Sequence, residues 1–201
     1  MAKIPFELIP EELQGWNGDS PLFAELIEKL KPKSIIEVGS WKGLSTVTMA
    51  KSCQKLDLDT KIYCVDTWEG SLEFPLNQEL YGDTWNTEKV FDKFMSNLHH
   101  NGVIDMIEPI KSLSKNADVP NAQLIYIDGD HTYEGVYADI TKYWNNLDNG
   151  GIIFGDDFFL KVSGGRKDGY ECGVSKAVEE FCRKNNLNFQ THYNNFWSIQ
   201  K

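Results

Sequence analysis

Short apolar runs alternate with amphipathic segments along most of the chain. Four runs have the length and the β-branched and aromatic content of buried strands: SIIEVG from residue 34, KIYCVD from residue 61, AQLIYIDGD from residue 122 and GIIFGDD from residue 151. IDMIEPIK, from residue 104, is interpreted as a further strand, and its Pro109 predicts a position at the edge of the sheet. The pattern therefore predicts a sheet assembled from strands that are distant in sequence.

Apolar residues at helical spacing predict helices between these strands. The predicted helices are PLFAELIEKLKPK (21–33), GLSTVTMAKSCQK (43–55), TEKVFDKFMSNLHHNG (87–102), YEGVYADITKYWNNLDNGG (133–151) and GVSKAVEEFCRKNN (173–186). Asp19 and Ser20 can cap the first helix, and Pro32 closes it. The final stretch, LNFQTHYNNFWSIQK, predicts two strands around the Asn194-Asn195 pair.

This alternation of strands and helices is typical of an α/β fold. We predict a single domain over residues 1–201, with a Rossmann-like, doubly wound and mostly parallel seven-stranded sheet that ends in a C-terminal antiparallel hairpin strand. Residues 1–19 precede the pattern and are predicted to be an N-terminal extension. Ligands of such sheets bind at the carboxyl ends of the strands, near the point where the strand order reverses.

Composition narrows the classes of function. The chain has 201 residues, one domain's worth, and a formal net charge of -10, which argues against a nucleic-acid backbone as the main partner. No apolar run has the length of a membrane span, and the first residues lack the apolar core of a signal peptide. The four cysteines show no CxxC spacing, so reduced thiols in a cytoplasmic protein are predicted and structural zinc is not.

Acidic residues end several of the predicted strands. Because the carboxyl ends of parallel strands meet at one edge of the sheet, these carboxylates are expected to lie close together, and crowded carboxylates call for a cation. Helix capping and simple chain turning are the alternative explanations for such acids and glycines. The strand ends are Glu37-Val38-Gly39-Ser40, Asp66-Thr67-Trp68, Asp128-Gly129-Asp130-His131 and Gly155-Asp156-Asp157.

The stretch after the first strand favours one kind of nucleotide ligand. Gly39 and Gly43 allow a ligand to approach the backbone, and Asp66 at the end of the second strand can accept both hydroxyls of a ribose. The G-x-G-x-x-G pattern of dinucleotide folds is absent, and Glu37 suits a cationic ligand better than a diphosphate. S-adenosylmethionine has the ribose and the positive charges but no phosphate.

Four motifs together carry a resemblance to a known family. IIEVGSWKGLST, YCVDTW, YIDGDHTYEGVYADITKYW and GGIIFGDD resemble class I S-adenosylmethionine-dependent methyltransferases, most of all the macrocin-type small-molecule O-methyltransferases and their catechol-type relatives. The likeness runs from about residue 21 to the C-terminus. The glycine motif alone is unspecific, whereas IDGDHTYEGV followed by a strand ending in Asp-Asp is much more specific.

The resemblance implies a set of cofactor contacts. The methionine part would be surrounded by Glu37, Gly39, Ser40 and Gly43. Asp66 would hold the ribose hydroxyls, Trp68 would pack against the sugar or adenine, and Ser112 would lie near the adenine.

The resemblance also implies a divalent cation, expected to be Mg²⁺, held by Asp128, Asp156 and Asp157. Catechol-type members have Asp-Asn where this chain has Asp156-Asp157, and they carry a lysine base where this chain offers His131. Asp128 and His131 are the predicted catalytic residues, because a hard cation lowers the pKa of a hydroxyl and a histidine can take its proton. His131 could instead orient Asp128 or bond the backbone.

The predicted acceptor is a small hydroxylated molecule such as a sugar or a diol, and a homo-oligomer is left open. Residues 68–86 and 158–173 are predicted to cover the site, with Arg166 and Lys167 available to an anionic acceptor. Two other functions remain in view: a non-catalytic regulator that binds the cofactor in the same fold, and an NAD-dependent oxidoreductase, which the missing glycine pattern disfavours.

Overall fold

The computed structural model of the protein describes residues 6–70, 88–159, 172–193 and 195–201. Within these ranges seven strands form one sheet in the order β3-β2-β1-β4-β5-β7-β6. The strands are β1 (Ser34–Val38), β2 (Lys61–Asp66), β3 (Ile107–Lys111), β4 (Ala122–Ile127), β5 (Leu147–Gly155), β6 (Gln190–His192) and β7 (Phe196–Gln200).

The pairing of the strands confirms the predicted fold class. β1 pairs in parallel with both β2 and β4, β2 with β3, and β4 with β5, whereas β7 is antiparallel to β5 and β6. β3 lies at one edge of the sheet, as Pro109 predicts. The strand order reverses between β1 and β4, so the carboxyl ends of these two strands flank the crevice where ligands of such sheets bind.

The described ranges contain five α-helices, the first before β1 and the others between strands: α1 (Pro21–Leu30), α2 (Leu44–Lys55), α3 (Val90–His100), α4 (Tyr133–Asn146) and α5 (Val174–Asn185). Ser20 caps α1 by accepting a hydrogen bond from the Leu22 N–H, as predicted. None of these helices has both the length and the apolar character required to cross a lipid bilayer.

Several predicted boundaries are wrong, among them the end of the fourth helix and the start of β3. The fourth helix was expected to reach the glycines at 150 and 151, but α4 ends at Asn146 and β5 begins at Leu147. The side chain of Leu147 enters the core and is 1% exposed, and its extended backbone (φ -80°, ψ 127°) pairs with Ala122. Leu147 therefore belongs to the strand and not to the helix. Similarly, residues 104–106 form a 3₁₀ turn, so β3 begins three residues later than predicted.

The core has one layer on each face of the sheet. On one face α1, α2 and α3 pack on the sheet, where the ring of Phe23 lies 5.0 Å from that of Tyr126 and 5.5 Å from that of Phe154. On the other face, α4 and α5 cover Ile153 and Trp197. This two-sided coverage explains why most side chains of the central strands are apolar.

Residues 6–19, called the N-terminal segment below, run along α3. The backbone N–H of Glu7 donates to Asp92 Oδ1 at 3.0 Å, that of Ile9 to Ser96 Oγ at 3.0 Å, and that of Glu12 to Asn97 Oδ1 at 2.8 Å. Side chains of α3 thus satisfy backbone groups of a segment that has no regular secondary structure.

Candidate active site

The carboxyl ends of β1, β2 and β4 are tied together at the crevice. The Gly39 N–H donates to the Val65 carbonyl at 2.9 Å, and the Asp128 N–H donates to the Val38 carbonyl at 2.8 Å. Gly39 has φ +88°, and a Cβ at this position would lie 2.1 Å from the Asp128 carbonyl oxygen. Only glycine therefore fits where the first strand meets the fourth.

Residues 39–43, called the glycine turn below, lead from β1 into α2. Gly43 is the N-cap of α2 with φ +87°, and a Cβ there would lie 3.0 Å from the ring of Phe94. The Trp41 N–H in the middle of the turn donates to Asp66 Oδ2 at 2.8 Å. The turn is thereby fixed to α3 on one side and to the end of β2 on the other.

Asp66 joins the two loops that would face a nucleoside. Its Oδ1 accepts the Trp68 N–H at 2.7 Å, while its Oδ2 accepts the Trp41 N–H. Burial raises the pKa of the Asp66 carboxyl, and the hydrogen bonds from backbone N–H groups oppose that rise. A carboxylate held beside the glycine turn has the placement that a ribose acceptor requires, and this role stays a prediction.

Trp68 is a buried wall residue in the structure. Its side chain is 5% exposed, its ring centroid lies 4.9 Å from that of Phe91 and 5.0 Å from that of Phe94, and its Nε1 donates to the Trp41 carbonyl. The ring of Trp68 thus supports the glycine turn, and little of it is accessible to a ligand. Its contact with the sugar or adenine stays a prediction.

Ser112 is tied to the end of β2. Its N–H donates to the Asp66 carbonyl at 3.0 Å, and its Oγ donates to the Leu113 carbonyl at 3.0 Å. The loop after β3 thus lies beside Asp66, on the side where an adenine contact was predicted. That contact stays a prediction.

Glu37 lies beneath the glycine turn. Its side chain is fully buried and accepts hydrogen bonds from the hydroxyls of Ser40, Ser45 and Thr46, with the Cys64 thiol 3.3 Å away. Burial raises the pKa of the Glu37 carboxyl, and the three hydroxyl donors oppose the rise. Glu37 thus supports the glycine turn from beneath, and its predicted place beside the methionine part of the ligand stays a prediction.

Asp128, His131 and Asp157, called the Asp–His group below, come together at the ends of β4 and β5. His131 Nε2 lies 3.2 Å from Asp128 Oδ1 and 3.3 Å from Asp157 Oδ2, and one potential ligand atom of each residue falls within 4.8 Å of the others. Two carboxylates and an imidazole are a chemically reasonable donor set for a divalent cation. The Tyr126 hydroxyl donates to Asp128 Oδ2 at 2.9 Å and orients that carboxylate.

Asp156, the third predicted ligand, is not part of the Asp–His group in the described residues. It is 4% exposed and accepts from Asn17 Nδ2 at 2.9 Å, Asn195 Nδ2 at 2.6 Å and the Asp157 N–H at 2.7 Å. Burial, together with the charges of Asp128 and Asp157, raises the pKa of Asp156 to about 7. The sequence thus predicted two members of this group as ligands, while the structure places His131 beside them and bonds Asp156 to two asparagines.

Three residues that support the site were missed by sequence reasoning. Tyr126 could have been found from the sequence, because it precedes Asp128 by two residues and side chains two apart on a strand share one face. Asn17 and Asn195 could not, since they lie far from Asp156 in sequence. Most of the predicted cover, residues 71–86 and 160–171 with Arg166 and Lys167, lies outside the described residues.

Comparison with known proteins identifies the chain by family. Residues 36–158, more than half of the chain, match the family described as "Methyltransferase domain". The chain belongs to this methyltransferase family. The matched range includes the glycine turn, Asp66 and all of the Asp–His group, and the match confirms the resemblance seen in the sequence motifs.

Solved structures with the same fold include several O-methyltransferases. NovP superposes with a TM-score of 0.67 at 16% identity, covering 92% of this methyltransferase chain and 78% of NovP. The O-methyltransferase from Bacillus cereus in complex with SAH gives 0.65 at 16% identity over 96% and 84% of the two chains. TomG from Streptomyces achromogenes, solved with SAM, gives 0.64 at 14% identity over 94% and 81%. At identities this low, the superpositions establish a shared fold and nothing more specific.

A curated relative is known from Sinorhizobium fredii (strain NBRC 101917 / NGR234). This uncharacterized protein, y4gI, is 24% identical to the methyltransferase chain over 151 residues, which is 75% of this chain. The chain spans only 16% of the length of y4gI.

Proposed function

We propose that this methyltransferase domain transfers a methyl group from S-adenosylmethionine to a hydroxyl oxygen of a small acceptor, such as a sugar or a diol, with the help of a divalent cation. The observation that carries the proposal is the position of the Asp66 carboxylate, bonded to the glycine turn at 2.8 Å, on the same edge of the sheet as the Asp–His group. A nucleoside site and a site for proton transfer thus share one crevice.

The residues around the glycine turn suit the methyl donor. S-adenosylmethionine, when bound, supplies an electrophilic methyl group. Asp66 would accept the ribose hydroxyls, and Gly39 and Gly43 would let the ligand lie against the backbone. The bond between the Trp41 N–H and Asp66 fixes this surface before a ligand arrives, which reduces the entropy lost on binding.

The Asp–His group suits the acceptor. Asp128 and Asp157 would hold the cation, expected to be Mg²⁺, which lowers the pKa of a coordinated hydroxyl. His131 would take the acceptor's proton at Nε2, and Asp128 Oδ1, 3.2 Å away, would stabilise the resulting imidazolium. Asp156, which is bonded to Asn17 and Asn195 outside the Asp–His group, would have to shift toward that group to serve as a third ligand.

S-adenosylhomocysteine should stabilise the protein, whereas NAD should not. At about 100 times its dissociation constant, a ligand specific for the folded state adds roughly 2.7 kcal/mol to the free energy of unfolding. Asp66→Asn should weaken the ligand's affinity by about tenfold or more, because a hydrogen bond to a charged group is worth about 1.5–3 kcal/mol. Calorimetric titration and thermal melts measure both quantities.

The matched control is Glu108→Gln, which makes the same change of charge on the neighbouring strand β3, three residues before that strand ends. It should leave the affinity for S-adenosylhomocysteine unchanged. Stabilisation by NAD with no response to S-adenosylhomocysteine would overturn the proposal.

Removing one carboxylate of the Asp–His group should have opposite effects on stability and cation affinity. Asp157→Asn should leave the cation-free protein at least as stable as the parent, because repulsion within the group is relieved. The same variant should bind Mn²⁺ at least about tenfold more weakly, since a neutral oxygen is a poorer ligand for a hard cation. Electron paramagnetic resonance of free Mn²⁺ measures the affinity without a known acceptor.

Asp148→Asn is the control for the change of charge alone. Asp148 lies at the start of β5, away from the crevice, where its carboxylate accepts a hydrogen bond from Gln123 of β4. Equal Mn²⁺ binding by the parent, the control and Asp157→Asn would remove the cation from the mechanism. Binding of S-adenosylhomocysteine without any Mn²⁺ binding would favour a regulator or a cation-independent enzyme.

A further inference from the structure

The glycine turn contains a buried positive charge. Lys42 lies between Trp41 and Gly43 and is 0% exposed. Burial lowers the pKa of its ammonium group, and the contact with Glu12 raises it. A buried charge is tolerated only when it is paired, so the conformation of the turn depends on what surrounds the Lys42 ammonium.

Two partners of that ammonium group come from the N-terminal segment. Lys42 Nζ bonds the side-chain oxygens of Glu12 and Gln14. Glu12 also contacts Lys93 of α3 through its other oxygen, at 3.1 Å. One carboxylate thus joins the glycine turn to the helix that packs beside it.

The backbone reinforces the same junction. Asn97 of α3 accepts the Glu12 N–H at 2.8 Å and donates through Nδ2 to the carbonyls of Glu12 and Lys42, at 3.0 and 2.8 Å. Asn97 is itself 0% exposed. Five residues further along, Asn17 donates to Asp156 at the end of β5. The N-terminal segment therefore runs from α3, past the glycine turn, to the acceptor side of the crevice.

We propose that the N-terminal segment is a working part of the methyl-donor site and that Glu12 is a positioning residue, which holds the glycine turn in its binding conformation through Lys42. The inference rests on the proposed function, because it assumes that the donor binds at this turn. Glu12 acts through Lys42 and needs no contact with the ligand.

Thermodynamic reciprocity gives the proposal a measurable consequence. If attachment of the segment favours the binding conformation of the turn, ligand binding must favour attachment of the segment by the same factor. The amides of Ile9 and Glu12 report attachment directly, since each is bonded to a side chain of α3. A residue that served only to stabilise the fold would not link these two events.

The first test compares two variants of the same segment by calorimetric titration with S-adenosylhomocysteine. Glu12→Gln should weaken binding by about tenfold, within the range of about 5- to 150-fold found for coupled sites. Glu7→Gln is the matched control: it removes the Glu7–Lys89 ion pair, whose side chains are 61% and 54% exposed, and should leave the affinity unchanged. Both titrations are run well below the melting temperature of the variants.

The second test is hydrogen exchange, followed by NMR, with and without S-adenosylhomocysteine. In the parent, saturating ligand should slow exchange at the Ile9 and Glu12 amides by about the same factor as the affinity loss of Glu12→Gln. The Leu187 amide, bonded to the Cys182 carbonyl at the end of α5, serves as the reference and should not respond. In Glu12→Gln the ligand should protect the segment less.

A double variant tests whether the effect of Glu12→Gln on binding is transmitted through Lys42 or comes from a general loss of packing. Lys42→Met removes the buried charge, so the further change Glu12→Gln in that background should weaken ligand binding much less than it does in the parent.

Full affinity in Glu12→Gln together with ligand-independent exchange at Ile9 and Glu12 would overturn the proposal. If S-adenosylhomocysteine does not bind the parent at all, the proposed function fails first, and the two failures are thus distinguishable.

Discussion

Gly39→Ala should be among the most damaging single substitutions in this protein. Two costs combine: the left-handed backbone at φ +88° and a new Cβ only 2.1 Å from the Asp128 carbonyl oxygen. The first is worth about 1–2 kcal/mol and the second, as an overpacking cost, about 1–3 kcal/mol. We expect the free energy of unfolding, measured with denaturant, to fall by about 2–5 kcal/mol.

Gly150→Ala separates the two costs. Gly150 has nearly the same backbone angle, φ +84°, but a Cβ there meets nothing within 4 Å. It should therefore lose only the conformational cost of about 1–2 kcal/mol. Equal losses at the two glycines would show that the contact between the ends of β1 and β4 is not tight. If Gly39→Ala folds, its affinity for S-adenosylhomocysteine should also fall, because the glycine turn begins at this residue.

Most of the fold could be predicted because its signals are local. Each central strand is a short apolar run, and each helix shows its own periodicity, so element type follows from neighbouring residues. The edge position of β3 followed from one residue, Pro109. The end of α4 was missed because Asn-Gly-Gly is a strong stop signal, whereas the actual boundary is set by the burial of Leu147 between elements distant in sequence.

The site was predictable in its location and less so in its contacts. Strand ends predicted that Asp66, Asp128 and Asp157 would share one edge of the sheet, because parallel strands align their carboxyl ends. Which carboxylates face one another depends on side-chain contacts from elsewhere. Asp156 is bonded by Asn17 and Asn195, whose distance in sequence left no pattern to detect.

The N-terminal segment shows a further limit of sequence reasoning. It has no helical or strand periodicity, so it was predicted only as an extension of the domain. The structure bonds its backbone to polar side chains of α3, Asp92, Ser96 and Asn97, which read in the sequence as ordinary helix-surface residues. Burial of Asn97 becomes understandable only when both elements are seen together.

Glu37→Ala should rival Gly39→Ala in its effect on stability. The carboxyl group is fully buried and is the acceptor for the hydroxyls of Ser40, Ser45 and Thr46. Truncation leaves a cavity and three buried hydroxyls without their acceptor, and each lost bond to a charged group is worth about 1.5–3 kcal/mol. Because hydroxyls can rotate to other partners, we expect a loss of about 3–5 kcal/mol in denaturant unfolding. Glu108→Ala, on the partly exposed edge strand, should cost less than about 1 kcal/mol.

Glu37→Gln then decides whether this residue serves the turn or touches the ligand. Glutamine keeps the shape and one acceptor oxygen, so the stability loss should be smaller than for alanine, about 1–2 kcal/mol. If the carboxyl group only supports the glycine turn from beneath, the variant should bind S-adenosylhomocysteine with an affinity within about threefold of the parent, a difference of less than about 1 kcal/mol. If it pairs with the ammonium group of the methionine part, beside which the resemblance placed Glu37, loss of the charge should weaken binding by tenfold or more, because a charge-assisted bond is worth about 1.5–3 kcal/mol. A large loss of affinity with unchanged stability would place Glu37 in contact with the ligand, against the geometry of three hydroxyl donors around a carboxyl group that solvent does not reach.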